Sequence, residues 1–250
     1  MSALLELEQI AVERGGSAVI SDLSCSIHAG EITVVLGPNG AGKSSLLLAM
    51  AGLIPVTGRL ELNGKILETY ARAELSRQVA WQGSLPPTEF GLTVKQRLAL
   101  AAADPAIDVE ITATEMDVAA LLSRPLGELS SGERQRVELA ALMLRDTPVW
   151  LLDEPTAHLD LKHQIHCITM LKQQAEAGRA IVTVLHDIQQ AMAIADFVIL
   201  VDGKCAEGQG GTAYGEAADL LNSATLSELF DAPVVEQGDV LIADYGVTRE

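Results

Sequence analysis

Residues 31–52 read EITVVLGPNGAGKSSLLLAMAG, and the order of residue types in this stretch decides the fold. EITVVLG is a short, largely β-branched run of the kind that forms a buried strand. KSSLLLAMAG reads as a helix that Gly52 stops. Between them, Gly37 to Ser44 fits G-x-x-x-x-G-K-[ST], a glycine-rich loop set between strand and helix. Glycines at 37, 40 and 42 let backbone N–H groups converge on phosphates without Cβ clashes, and the helix points its positive end at them. Lys43 is placed to reach the β- and γ-phosphates, and the Ser44 hydroxyl to ligate Mg²⁺. A nucleotide site is expected. The reaction stays open at this point, because kinases, GTPases and motors share the loop.

Working outward, apolar alternation in LLELEQIAV and AVISDLSCSI predicts two early strands separated by a turn at Gly15-Gly16. GRLELNGK reads as a strand running into an Asn-Gly turn, and VAWQ as another short strand. Residues 83–128 change character: Pro86-Pro87 is followed by Ala/Leu/Glu-rich segments, a helical insert that extends into a subdomain of about 83–145. Regular alternation then resumes with VELAALMLR (helix), VWLL (strand), LKHQIHCITMLKQQAEAG (helix stopped by Gly178), AIVTVL (strand), DIQQAMAIA (helix) and FVILV (strand). The tail, about 208–250, holds one or two helices (EAADLL, ATLSELF) and a hairpin-like pair. The expected fold is α/β: one domain over 1–250, a mainly parallel sheet, an antiparallel β subdomain on the N-terminal side and a helical insertion.

Bulk properties narrow the function. Hydrophobic residues make up 48% of the chain, enough for a sizeable core, and aromatics only 3%, so that core rests on Leu, Val, Ile and Ala. A formal net charge of −17 argues against nucleic acid as a partner. Cys25, Cys167 and Cys205 are odd in number, far apart and without C-x-x-C spacing, which speaks for a reducing cytosol over a disulfide framework or zinc site. The N-terminus lacks a signal-peptide pattern, and no apolar run approaches the roughly 18 residues of a membrane span. Any membrane role is expected through a partner.

VWLLDEP completes the phosphate site: a buried strand delivers Asp153 and Glu154 to its C-terminal end, where α/β sheets place ligands. Asp153 is suited to the Mg²⁺ shell and Glu154 to polarising a water toward the γ-phosphate. VLHD puts His186 at the end of the next strand, where a γ-phosphate contact is expected. Gln82, after VAW, has a comparable position and an amide suited to water or Mg²⁺. His163 and His166, with His158 upstream, hint at a metal site, but no further ligand has suitable spacing and a solvated helix face is expected. LSSGE, Leu129 to Glu133, reads as a capped helix start, or as a phosphate site whose phosphate another chain supplies.

The P-loop, the Gln after a short strand, LSSGE, LLDEP, TAHLD and the strand-end His occur in the order seen in ABC-transporter ATPase subunits, which this chain resembles over nearly its whole length. The resemblance implies a P-loop NTPase fold, ATP and Mg²⁺ as ligands, and two copies joined head to tail with each ATP between one P-loop and the other chain's signature. Carried over on matching motifs are Gly37, Pro38, Asn39, Gly40, Ala41, Gly42, Lys43, Ser44 and Ser45 for ATP, with Ser44, Gln82 and Asp153 for Mg²⁺. Glu154, His186 and Gln82 carry catalysis, and Leu129, Ser130, Ser131, Gly132 and Glu133 form the signature. Asp160 falls at the dimer seam.

Two positions depart from the family pattern. Arg14, in VERGG, stands where an aromatic usually stacks on adenine, and Ser131 stands where the signature usually has Gly, which is expected to slow hydrolysis. Only 64 residues follow His186, too few for the regulatory domain of sugar-importer ATPases. EPTAHLDLKHQ is similar to importers of iron siderophores, haem and cobalamin, and the short insert QGSLPPTEFGLTV and short tail look most like the cobalamin importer's ATPase. The expected partners are integral permease subunits with a periplasmic or extracellular binding protein. The chain is then peripheral on the cytoplasmic face of the cell membrane, and the segment from Pro86 to Leu92 helps transmit dimer closure. A soluble ABC ATPase of a cytosolic assembly complex, such as iron–sulfur cluster assembly, or an exporter subunit, is the alternative.

Overall fold

The computed structural model describes residues 3–83, 85, 91–204, 211–238 and 240–244. Cys205 and most of the Pro86–Leu92 segment lie outside the described residues. Strands β1 (Ala3–Arg14) and β2 (Ser17–His28) pair antiparallel around Gly15-Gly16, and β3 (Ile32–Leu36) leads into α1 (Lys43–Met50). β4 (Thr57–Leu62) and β5 (Lys65–Ile66) complete a four-stranded antiparallel sheet of order β2-β1-β4-β5. After a short α2 (Arg72–Leu75) and β6 (Val79–Gln82) comes the helical insertion, with α3 (Val94–Ala101) and α4 (Val109–Glu115). The signature opens α5 (Ser131–Met143), which leads to β7 (Val149–Asp153), α6 (Leu161–Glu176), β8 (Ala180–Val184), α7 (Ile188–Ile194) and β9 (Phe197–Val201). β10 (Thr212–Glu216), α8 (Ala217–Leu220), α9 (Ser223–Phe230) and the hairpin β11 (Val234–Gln237) and β12 (Val240–Ala243) form the tail. Among the described residues no helix is long and apolar enough to cross a membrane.

The second sheet has order β10-β9-β3-β8-β7-β6, parallel except for β10. It partitions two cores with the period of two that strand geometry imposes. Trp150 and Leu152 of β7, Ile181 of β8, and Val198 and Leu200 of β9 face the core built with α3 to α7 and the tail. Their neighbours Val149, Leu151, Val182, Ile199 and Val201 face the core shared with α1 and the antiparallel sheet. Because both faces are covered, these strands read as continuous apolar runs. α1 lies between the two sheets, which is why its residues are buried nearly all round.

The sequence reading misses one strand. TAYGE has only one large side chain, too weak a pattern to announce β10, yet pairing with β9 forms it. Tyr214 then joins the two sheets: its ring stacks on Phe197 at 5.5 Å and its hydroxyl donates to the Ser26 carbonyl at 2.7 Å. The short α2 and the 3₁₀ turn before it are also absent from that reading.

Trp150 is the largest fully buried side chain, and the Arg179 guanidinium lies 5.1 Å from its ring. Trp150→Ala is expected to cost about 3–5 kcal/mol, measured by urea unfolding, through lost transfer energy and an unfilled cavity. A cost under about 1 kcal/mol would mean that this face of the sheet is not the packed core described.

Candidate nucleotide site

The loop after β3 approaches its surroundings as closely as backbone can. A Cβ on Gly37, where φ is +155°, would lie 2.0 Å from the Val201 carbonyl oxygen, so only glycine lets the loop leave the sheet here. Gly42 caps α1 without a side-chain acceptor, which leaves the first-turn N–H groups facing the loop's concave side. The Lys43 ammonium donates to the Gly37 and Pro38 carbonyls at 2.8 and 2.9 Å, and the Ala41 N–H donates to Pro38. Burial holds the Lys43 amine below its ordinary range, against the opposing charges of Glu154 and Asp153. Ala41 is buried, whereas Asn39 and Gly40 stand exposed at the tip. A cleft of about 300 Å³ opens beside the loop, walled by Asn39, Gly40 and Gly42 to Ser45, by Arg14 and Val19 of the hairpin, and by Glu154. Arg14 is thus one wall of the cleft that the P-loop opens onto.

The end of β7 carries two carboxylates: Glu154 walls this cleft, and Asp153 lies beside Ser44. Asp153 pairs in register with Val184, at the C-terminal ends of both strands. Burial pushes its carboxyl above the usual range, while a hydrogen bond with Ser44 pulls it down. Its Oδ1 is buried without a hydrogen-bond partner among the described residues. An orphaned carboxylate oxygen beside a serine hydroxyl is a donor set that fits an oxygen-seeking divalent cation, so these residues suit Mg²⁺. Glu154 adopts a left-handed backbone (φ 55°), a conformation that for a non-glycine residue costs on the order of 1–3 kcal/mol and is found at functional sites. Its Oε1 lies 2.7 Å from His186 Nε2. His186 thus reaches the cleft through Glu154 and is not itself among the cleft's walls.

Other sequence-derived candidates land differently. Gln82 is next to Leu152 in register, but its amide turns to the Gly83 carbonyl and lines a neighbouring cleft with Arg97 and Glu138. It does not wall the P-loop cleft. Ser130 caps α5 in a reciprocal box: its Oγ accepts from the Glu133 N–H at 3.2 Å, and its N–H donates to the Glu133 carboxylate at 2.8 Å. The N–H groups of Ser131 and Gly132 are the ones left over at this exposed helix start. Leu129 beneath them is buried. The glycine that the chain's own packing requires is Gly132, where a Cβ would meet the His158 carbonyl at 2.8 Å; Ser131 is exposed. None of Leu129 to Glu133 walls this chain's P-loop cleft.

The expectation of a solvated face at His163 is corrected. His163 is 9% exposed, with its ring between Asp160 and Asp117. Asp160 caps α6 through that same histidine. No cluster of three or more His, Cys, Asp or Glu able to hold a metal occurs among the described residues. A further feature not read from the sequence is Gln135, buried on α5, whose amide donates to the Pro155 carbonyl at 2.9 Å. Its helical position gives no local sign of that contact.

Comparison with known proteins agrees with this geometry. The family described as ABC transporter matches residues 20–157. The hemin import ATP-binding protein HmuV of Rhodococcus jostii is 37% identical over 92% of this chain and 80% of its own length. The cobalamin import ATP-binding protein BtuD of Halobacterium salinarum is 34% identical over 92% of this chain, which spans 59% of that longer protein. A solved structure of an ATP binding subunit of an ABC transporter, 25% identical, superposes over 90% of this chain and 97% of its own with a TM-score of 0.77. The family match takes in more than half of the chain, from the hairpin through the Asp153–Glu154 strand end, and on that ground the chain belongs to the ABC transporter family, whose ATP-binding subunits are ATPases coupled to transport.

Proposed function

We propose that this chain is the ATP-hydrolysing subunit of a membrane importer for a metal chelate of the haem, cobalamin or ferric-siderophore kind. The import activities in the names of its relatives support the substrate class. The observation that carries the hydrolytic chemistry is the Glu154–His186 pair, 2.7 Å apart at the wall of the P-loop cleft. A kinase would activate its substrate's hydroxyl; a carboxylate held at this position suits water instead.

In this reading the P-loop N–H groups and Lys43 bind the ATP phosphates, and Arg14 lies against the nucleotide through its planar guanidinium. Ser44 and Asp153 would hold Mg²⁺, which supplies neutralisation of charge on the β- and γ-oxygens. Glu154 orients the attacking water and accepts its proton, and His186 fixes the Glu154 carboxylate in the orientation that does so. Gln82 reaches the water or the cation by turning its amide from Gly83, a rotation that its Oε1, without a hydrogen-bond partner among the described residues, favours. The signature completes the site in trans. A second copy joins head to tail and presents the Ser131 and Gly132 N–H groups, the Ser130 hydroxyl and the positive end of α5 to the γ-phosphate. Asp160 meets the partner at the seam. The dimer works on the cytoplasmic face of the membrane, bound to permease subunits that receive the chelate from a periplasmic or extracellular binding protein.

Glu154→Gln is expected to lower kcat by about 10²–10⁴ while ATP still binds, in a steady-state phosphate-release assay paired with equilibrium binding. Turnover within a few-fold of the parent would remove Glu154 from the chemistry. Lys43→Ala is expected to weaken ATP binding itself, read by titration of a fluorescent ATP analogue, since a charge-assisted contact to phosphate is worth about 1.5–3 kcal/mol. Unchanged affinity would contradict the assignment of the phosphate site.

A further inference from the structure

The segment joining β7 to α6 carries more than Glu154. It is held against the helical subdomain at three places. Gln135 of α5 donates to the Pro155 carbonyl, and Gly132 of α5 lies so close to the His158 carbonyl that no Cβ fits between. The third place is made by side chains alone. His163 is buried although Leu161, two residues before it, is 72% exposed. Its Nδ1 lies 2.7 Å from Asp160 Oδ1, and its Nε2 lies 3.2 Å from Asp117 Oδ2. Asp117 follows α4 in the helical insertion, 46 positions away in sequence. Lys162 of α6 reaches the same Asp117 oxygen at 3.2 Å, and Arg136 of α5 donates to the Asp117 carbonyl.

The chemistry of this contact is restrictive. The hydrogen bond from His163, then that from Lys162, holds the Asp117 carboxyl below its ordinary range. The His163 backbone N–H, then its ring, does the same for Asp160. The two ring nitrogens lie on opposite sides of the imidazole, and each faces one of these carboxylates. The ring thereby bridges two carboxylates that lie on opposite sides of it. A glutamine or asparagine offers donors on one nitrogen only.

We propose that His163 is a positioning residue for ATP hydrolysis, tying Asp160 to Asp117 so that the Glu154–Asp160 segment moves with the subdomain carrying Ser130 to Glu133. α5 grips the segment near its start and middle, and the His163 link grips its end from α4. With all three in place, the signature that this chain offers to a second copy stays in step with its own Glu154. The inference rests on the dimeric reading given above.

The test is a double-mutant cycle on the purified full chain: Asp117→Asn, His163→Gln and the two combined. Asn tolerates the left-handed backbone at position 117, where φ is 56°. Each single variant is expected to lose about tenfold in kcat while KM for ATP stays within about twofold, a loss typical of broken coupling between sites. The double variant is expected to be no slower than the slower single. Urea unfolding of Asp117→Asn, a change at an exposed carboxylate, is expected to stay within about 0.5 kcal/mol of the parent. Parent-like kcat in either single variant, losses that multiply in the double, or a kcat loss matched by unfolding at assay temperature would each overturn the proposal. Light scattering of the parent with ATP separates the two readings. A parent that never dimerises overturns the dimeric reading and this inference with it, whereas a dimerising parent with fully active link variants overturns this inference alone.

Discussion

A parallel sheet covered on both faces can place charged groups only where its strands end, and the arrangement of this molecule follows from that constraint. β3, β8 and β7 lie side by side, so their C-terminal ends share one rim. The rim carries the loop at Gly37, then His186, then Asp153 and Glu154, with β8 in the middle. That strand order ends β8 beside β7 and allows the 2.7 Å contact between His186 and Glu154. Every strand residue before those ends is apolar or a buried threonine, so the rim is fixed by packing beneath it.

The same sheet separates two cores with different tasks. On one side, α1 and the antiparallel sheet pack beneath the loop, Tyr214 ties the two sheets together, and Gly37 passes close to the Val201 carbonyl at the end of β9. On the other side, the helical insertion and α5 carry the signature away from this chain's own cleft. A protein so divided has its phosphate loop and its signature on different bodies, which suits a site closed between two chains. Beyond the packing across the sheet, the segment from Glu154 to His163 also touches the helical side, through Gln135, Gly132 and the His163 ring.

What was legible in the sequence is what local spacing determines. The glycine loop, the VWLLDEP strand end, the capping box at Ser130 and the β/α alternation each occupy a few consecutive residues, and each forms as read. What was not legible depends on partners distant in the chain. A helical histidine reads as solvated unless Asp117, far upstream, is known to fold over it. β10 exists because β9 offers an edge, not because TAYGE is a strong strand. Gln82 ends β6 as the pattern predicts, but its side-chain direction is set by the Gly83 carbonyl, which no pattern reports. The requirement for glycine at 132 likewise comes from a carbonyl twenty-six positions later, at His158.

The central claim is that each ATP site is completed by a second chain, and mixing two inactive variants tests it most directly. Lys43→Ala removes a phosphate contact but leaves the signature. Ser130→Asp keeps a good helix cap but sets a negative charge against the γ-phosphate, and leaves the P-loop. Mixed dimers of the two have one damaged site and one site with both halves intact. The account predicts that the mixture hydrolyses ATP well above the sum of the two variants alone. Hydrolysis that stays at that sum over a range of protein concentrations, while the parent is active, would contradict it.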